Sequence, residues 1–211
     1  MSKKLIKYSV SILLILFVAY HSVYFKKLDE VQNAGSLSAF DADKYARKFY
    51  ENRLLPQLDN AIDLEKLIGE LKTDQQKAFR DYSHALDIGN TRYFLVQGQG
   101  IISSINDDAV RIAEKKDQPG NGVSIATEFV YGNAIRDASG LIHLNEFTST
   151  SEFNNISEAI NSIVRKEVLP AFKARAGVGD LIKFSGAIEL NQAHLKMDSI
   201  EVVPIRLSVL N

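Results

Sequence analysis

The chain reads as an α+β protein: an N-terminal transmembrane helix, a small helical annex, and an OB-like five-stranded β-barrel with a helix between its third and fourth strands. Three observations predict this. An apolar run flanked by lysines opens the sequence, helical periodicity fills the next stretch, and from Tyr93 the period shortens to that of strands, broken once by an amphipathic helix. The 211 residues, 45% hydrophobic and 24% charged, are enough for one core with a helical extension and too few for two large domains.

Residues 1–27 form the first element, a membrane anchor or signal segment. The run from Tyr8 to Phe25 is interrupted only by small hydroxyl residues and His21. At about 1.5 Å per residue, a helix over 8–25 carries most of the way across a hydrocarbon core roughly 30 Å thick. Signal peptidase needs small residues one and three positions before its cut, and Tyr20, His21, Tyr24 and Phe25 are too large, so an uncleaved anchor is expected, with a signal peptide as the alternative. Lys3, Lys4 and Lys7 with the amino terminus outweigh Lys26 and Lys27, which places the body in the periplasm.

Residues 28–39 read as a linker, and 40–90 as the helical annex. Ser38 with Asp41 resembles a capping box. Tyr45, Phe49 and Leu54 begin an apolar stripe that Pro56 ends, and Leu64, Leu67, Ile68 and Leu71 fall on one helical face. Thr73 with Gln76 offers a cap for a third helix through Ala78, Phe79 and Tyr82.

Residues 91–211 form the barrel domain. "YFLVQGQGIISSIND", "AVRIAEK" and "GVSIATEFVYGNAI" are rich in β-branched and aromatic residues, and "DQPGNG" between the last two is turn chemistry. Asn155 heads a helix with Ile156, Ala159, Ile160, Ile163 and Val164 on one face, ended or kinked by Pro170. "LIKFSGAIEL" and "SIEVVPIRLSVL" supply two more strands. Three strands, a helix and two strands is the order of the OB barrel, whose helix plugs the barrel end. Gly98, Gly100 and Gly186 stand where a small barrel needs sharp coiling or bulges.

Composition narrows the chemistry. Five of the 25 basic residues flank the first apolar segment and no acid precedes Asp29, which leaves 20 basic against 26 acidic side chains, a net charge of about −6, on the remainder. A body of that sign lacks the basic footprint of a nucleic-acid binder. There is no Cys, so disulfides, thiolate metal sites and a Cys nucleophile are excluded. Four scattered His and no acidic ligand loop give no metal site, and no cofactor is expected. "GQG" at Gly98–Gly100 lies inside a strand, which is the wrong context for a dinucleotide loop, and His143 has no nucleophile elbow beside it.

The stretch "GNAIRDASGLIHLNEFTSTSEF" holds the candidate site residues Arg136, Asp137, Asn145 and Thr148. As neighbours on a strand, Arg136 and Asp137 point to opposite faces. Whichever is buried needs partners, which Asn145 or the hydroxyls of Thr148, Ser149 and Thr150 can supply. Two readings stay open: a polar network pinning a bend onto the Ile156 helix, or an exposed edge that recognises an anion or a sugar.

The combination of "FDADKYARKFYENRLLPQL", "YFLVQGQG", "YGNAIRDASGLIHLNEFTSTSEFNNISEAIN" and "GDLIKFSGAIEL" resembles a bacterial family of predicted periplasmic lipoproteins, the domain-of-unknown-function family 2291. Arg136, Asp137, Asn145, Phe147 and Thr148 match its most specific stretch. The chain departs from the family in lacking the lipobox Cys, so the apolar helix takes the place of a lipid anchor. The resemblance implies a place beside sugar-type ABC transporters and an accessory role in uptake. The expectation is therefore a non-enzymatic, membrane-anchored periplasmic protein that binds a transporter component, a small solute or both. The alternatives are a hydrolase or carbohydrate-active enzyme with two carboxylates roughly 5–10 Å apart, and an envelope scaffold.

Overall fold

A computed structural model describes residues 40–85, 89–113 and 122–210, together with Tyr8, Ile12, Leu13, Ile15, Phe17 and Val18. The chain divides into two compact units, Met1–Phe40 and Asp41–Asn211. In the first, the six described side chains of 8–18 are helical and exposed, from 55% at Val18 to 68% at Leu13. Among the described residues no helix is long and apolar enough to cross a membrane. Most of the expected anchor, 8–25, and all of the expected linker, 28–39, lie outside the described residues.

The second unit opens with three helices, each started by an aspartate. Asp41, Asp63 and Asp74 accept the amides of Lys44, Lys66 and Lys77 at 2.9, 3.1 and 2.9 Å, and so begin α1 (Ala42–Phe49), α2 (Leu64–Thr73) and α3 (Gln75–Tyr82). A carboxylate both fills an orphan amide and complements the helix dipole. The expected cap at Ser38 lies outside the described residues, and the one expected at Thr73 gives way to Asp74. The Thr73 hydroxyl instead donates back to the carbonyls of Gly69 and Glu70 at the end of α2. Pro56 does not end α1 directly. The helix passes through a π turn, Tyr50–Leu54, into Leu55–Gln57, and the amide of Leu55 reaches Tyr50 O one residue beyond the usual partner.

The strands are β1 (Ile62–Asp63), β2 (Ser83–His84), β3 (Thr91–Ile105), β4 (Ala109–Ala113), β5 (Val123–Ala126), β6 (Leu181–Asn191) and β7 (Ile200–Leu210). The first eleven residues of β3 run antiparallel to β6, from Thr91↔Asn191 to Ile101↔Leu181. From Ile101 onward β3 also pairs with β4, which pairs with β5. β5 runs parallel to β7, and β7 returns antiparallel to β6. The pairings of these five strands therefore lead back to β3. The sheet nevertheless has seven strands and not the five predicted. β4 covers only the far end of β3, and the two-residue strands β1 and β2 pair with its near half at Ile62↔Val96 and Ser83↔Phe94, covering part of an edge that would otherwise stand open.

The third predicted strand is shorter than its composition suggests. Only Val123–Ala126 is strand, and the chain then turns through Gly132, at φ 77°, into the short helix α4 (Ala134–Ala138). A β-branched or aromatic residue is strained at that φ. Past it, α5 (Thr150–Ile163) starts at the N-cap Ser149, well before Asn155. It continues through a second π turn, Val164–Val168, into α6 (Leu169–Lys173). Pro170 is the second residue after that turn, as Pro56 is after the first. A π turn shifts the bonding register where a proline has no amide to give.

The interior of the sheet is filled from an unexpected side. Leu64, Leu67, Leu71, Ala78 and Phe79 of α2 and α3 share one core with Phe94, Val96, Phe184, Ile188 and Val202. Of the helical segment between β5 and β6, which was expected to plug the barrel, Phe172 alone joins this core among the described residues. α5 instead packs on α1, and α4 on β3 and β6. On β3, Gly98 makes room for a ring: a Cβ there would come 2.8 Å from Phe184 Cζ on the paired residue of β6.

Candidate functional site

Arg136 and Asp137 lie on the helical turn α4, so consecutive residues need not point apart, and they bind each other. Arg136 Nε donates to Asp137 Oδ1 at 2.6 Å and Nη2 to Oδ2 at 3.2 Å. Nη1 donates to the Phe153 carbonyl at 3.1 Å, and the guanidinium stacks 3.6 Å from the centre of the Phe153 ring. The pair is 2% and 5% exposed. Burial pushes the Asp137 carboxyl above its usual range, and Arg136 offsets this in part. The nearby Tyr93 phenol is pushed up to about 12, by burial first and then by Glu189 and Asp137. Ser139 completes the turn, donating to Arg136 O at 2.6 Å and accepting the Leu141 amide.

The other two site residues stay outside this pair. Asn145 is exposed on a 3₁₀ turn (Leu144–Glu146) and makes no hydrogen bond among the described residues. Thr148 gives both its amide and its hydroxyl to Glu152 Oε2, at 3.0 and 2.8 Å. His143 precedes the 3₁₀ turn and donates its amide to Glu146. The structure thus brings Arg136 and Asp137 together as a dry clamp between α4 and α5, and leaves Asn145 and Thr148 at the surface.

Open, polar space lies elsewhere. A cavity of about 330 Å³ opens between the start of α2 and β3, with Glu65, Gln97, Gln99 and Lys183 above an apolar floor that includes Ile112 and Phe184. A second, of about 370 Å³, lies between the segment after α1, the start of α2 and the end of α3, with Gln57, Asn60, Lys66, Asp81, Tyr82 and His84 around Leu95. Asp63 lines both. Gln97 is oriented by its own amide, which donates to Ala61 O at 2.8 Å and leaves the side-chain oxygen as an acceptor. Burial pushes the His84 imidazole below its usual range. Sequence reasoning missed these cavities, because Asp63 reads only as a helix cap and Gln97, Gln99 and Lys183 only as the solvent side of strands.

Three comparisons bear on this geometry. The sequence pattern of a family described as "Predicted periplasmic lipoprotein (DUF2291)" matches residues 13–208. Among solved structures the chain is similar to an OB-fold protein from Thermotoga maritima MSB8, at 24% identity and a TM-score of 0.72 over 82% of this chain and 100% of that one. That likeness shows the fold alone. None of the curated proteins matches the chain.

Proposed function

Because the chain belongs to the DUF2291 family of predicted periplasmic lipoproteins, we propose that it is a non-enzymatic binding protein of the bacterial envelope that works beside a sugar-type ABC transporter. The observation that carries this reading is the pair of polar cavities meeting at Asp63, each of a size to take a small solute. Two of their three acids, all but Glu65, are already engaged, which supports binding over acid–base chemistry. Asp63 holds the start of α2, and Asp81, on the lining of the second cavity, is engaged by Lys77 at 3.0 Å and Arg80 at 3.2 Å. Attachment to the cytoplasmic membrane through residues 8–25 is part of the proposal. It is supported by the exposed apolar side chains described there and by the absence of any Cys to carry a lipid.

The test uses the full chain in its native membrane, with a photo-reactive residue in place of Gln99 at the mouth of the first cavity. Cross-linking and recovery of a membrane or ATPase subunit of an ABC transporter is the expected result. The same yield of that subunit from a control placed at Glu201, on β7, would count against an interface at the cavities, and recovery of no transporter subunit would overturn the accessory role.

A further inference from the structure

We propose that the cavity bounded by Gln57, Asn60 and Tyr82 is a binding site for a small, uncharged, polyhydroxylated molecule the size of a single sugar ring. This deepens the binding reading above and rests on it. The volume, about 370 Å³, is at the small end of the range for ligand pockets, roughly 300–1,000 Å³. The cavity is built by two separate stretches of the chain, 57–66 and 81–84, around the apolar side chain of Leu95.

Its more enclosed polar groups are neutral. Gln57 and Tyr82 are half-buried. Among the described residues the Tyr82 hydroxyl has no hydrogen-bond partner, and the Gln57 oxygen has only a 3.5 Å contact from Asn60 Nδ2. The formal charges sit at the exposed rim: Asp63 and Lys66 offset each other, and Asp81 is engaged by Lys77 at 3.0 Å and Arg80 at 3.2 Å. Asp63 gives one carboxylate oxygen to the Lys66 amide at 3.1 Å and keeps the other, while Lys66 Nζ lies 5.8 Å from the centre of the Tyr82 ring. His84, also at the rim, is held neutral near pH 7 because burial opposes its imidazolium.

The lining therefore offers donors and acceptors while its charges are offset by neighbours: amides at Gln57 and Asn60, a phenol at Tyr82, one acceptor at Asp63 and one donor at Lys66. A hydroxyl both donates and accepts, so a ring carrying several of them satisfies this set without bringing in a charge. An ionised solute would have to pair at the rim, where water screens such contacts.

The experiment uses the full chain in lipid nanodiscs and ligand-observed saturation-transfer NMR with D-ribose, D-xylose, D-galactose and myo-inositol, with L-alanine as a zwitterionic probe. At least one of the four polyols is expected to give a saturable signal. Asn60→Leu, an exposed change that fills the cavity mouth, is expected to weaken it at least tenfold. Glu201→Gln, on β7 and outside both cavities, is expected to leave it unchanged, and thermal unfolding of both variants confirms that they fold. Saturable binding of L-alanine alone, no saturable signal from any polyol, or a polyol signal kept at full strength in Asn60→Leu would each overturn the proposal. Failure here with a transporter subunit still cross-linked at position 99 leaves the accessory role standing. The reverse pattern separates the two in the other direction.

Discussion

Arg136 shows what a buried charge requires of its neighbours. Its guanidinium is satisfied by one carboxylate, one carbonyl and one ring, all within α4 and α5, so removing it strands Asp137 in a dry site. Arg136→Met is expected to cost about 3–5 kcal/mol, whereas Arg136→Met combined with Asp137→Leu recovers most of that loss, because two apolar groups need no partner. Urea midpoints of the two variants check this. Gly98 is constrained by shape. Gly98→Ala pushes a methyl against Phe184 and is expected to cost about 1–3 kcal/mol, with Phe184→Leu relieving part of it in a double-mutant cycle. His84 adds a pH dependence. Its folded pKa is below the ordinary 6.5, so the stability it contributes is present above pH 6.5 and is lost as pH falls below that value. The melting temperature is expected to fall less between pH 7 and pH 5 in His84→Gln than in the wild type.

At the scale of elements, the helices show which local signals held. The apolar spacings of Leu64, Leu67 and Leu71 and of Ile156, Ile160 and Ile163 all mark buried faces, because a helical period survives whatever the face packs against. The caps were less legible, since several polar residues stand near each start and only the folded chain selects among them. Ser149 is the selected cap of α5, accepting the Glu152 amide at 3.1 Å. Ser149→Ala is expected to cost about 1 kcal/mol, and Asn155→Ala, inside the helix and exposed, much less. Thermal unfolding of the two variants distinguishes these positions. The paired π turns before Pro56 and Pro170 were not legible, because a proline in sequence announces a stop and only packing on both sides keeps the helix going.

At the scale of the whole molecule, the order of strands and helices identifies an OB-like fold, which the likeness to the Thermotoga maritima protein supports. The source of its core is a separate matter. The interior is sealed by the helices that precede the strands, so truncation before β3 removes Leu67, Leu71 and Phe79 from the same core as Phe94 and Phe184. A fragment beginning at Asn90 is expected not to fold, which its amide NMR dispersion checks. The sequence by itself determined the periodic elements, the acidic body without a Cys and the family stretch around Arg136, because these depend on residues close together in the chain. Only the tertiary structure decided that Arg136 and Asp137 clamp one turn, that Asn145 and Thr148 stand apart from them, and that Gln57, Asp63, Tyr82 and Gln97 border common cavities. The cavities join segments tens of residues apart and the clamp depends on how α4 meets α5, and both are set by which faces the sheet and helices bury together.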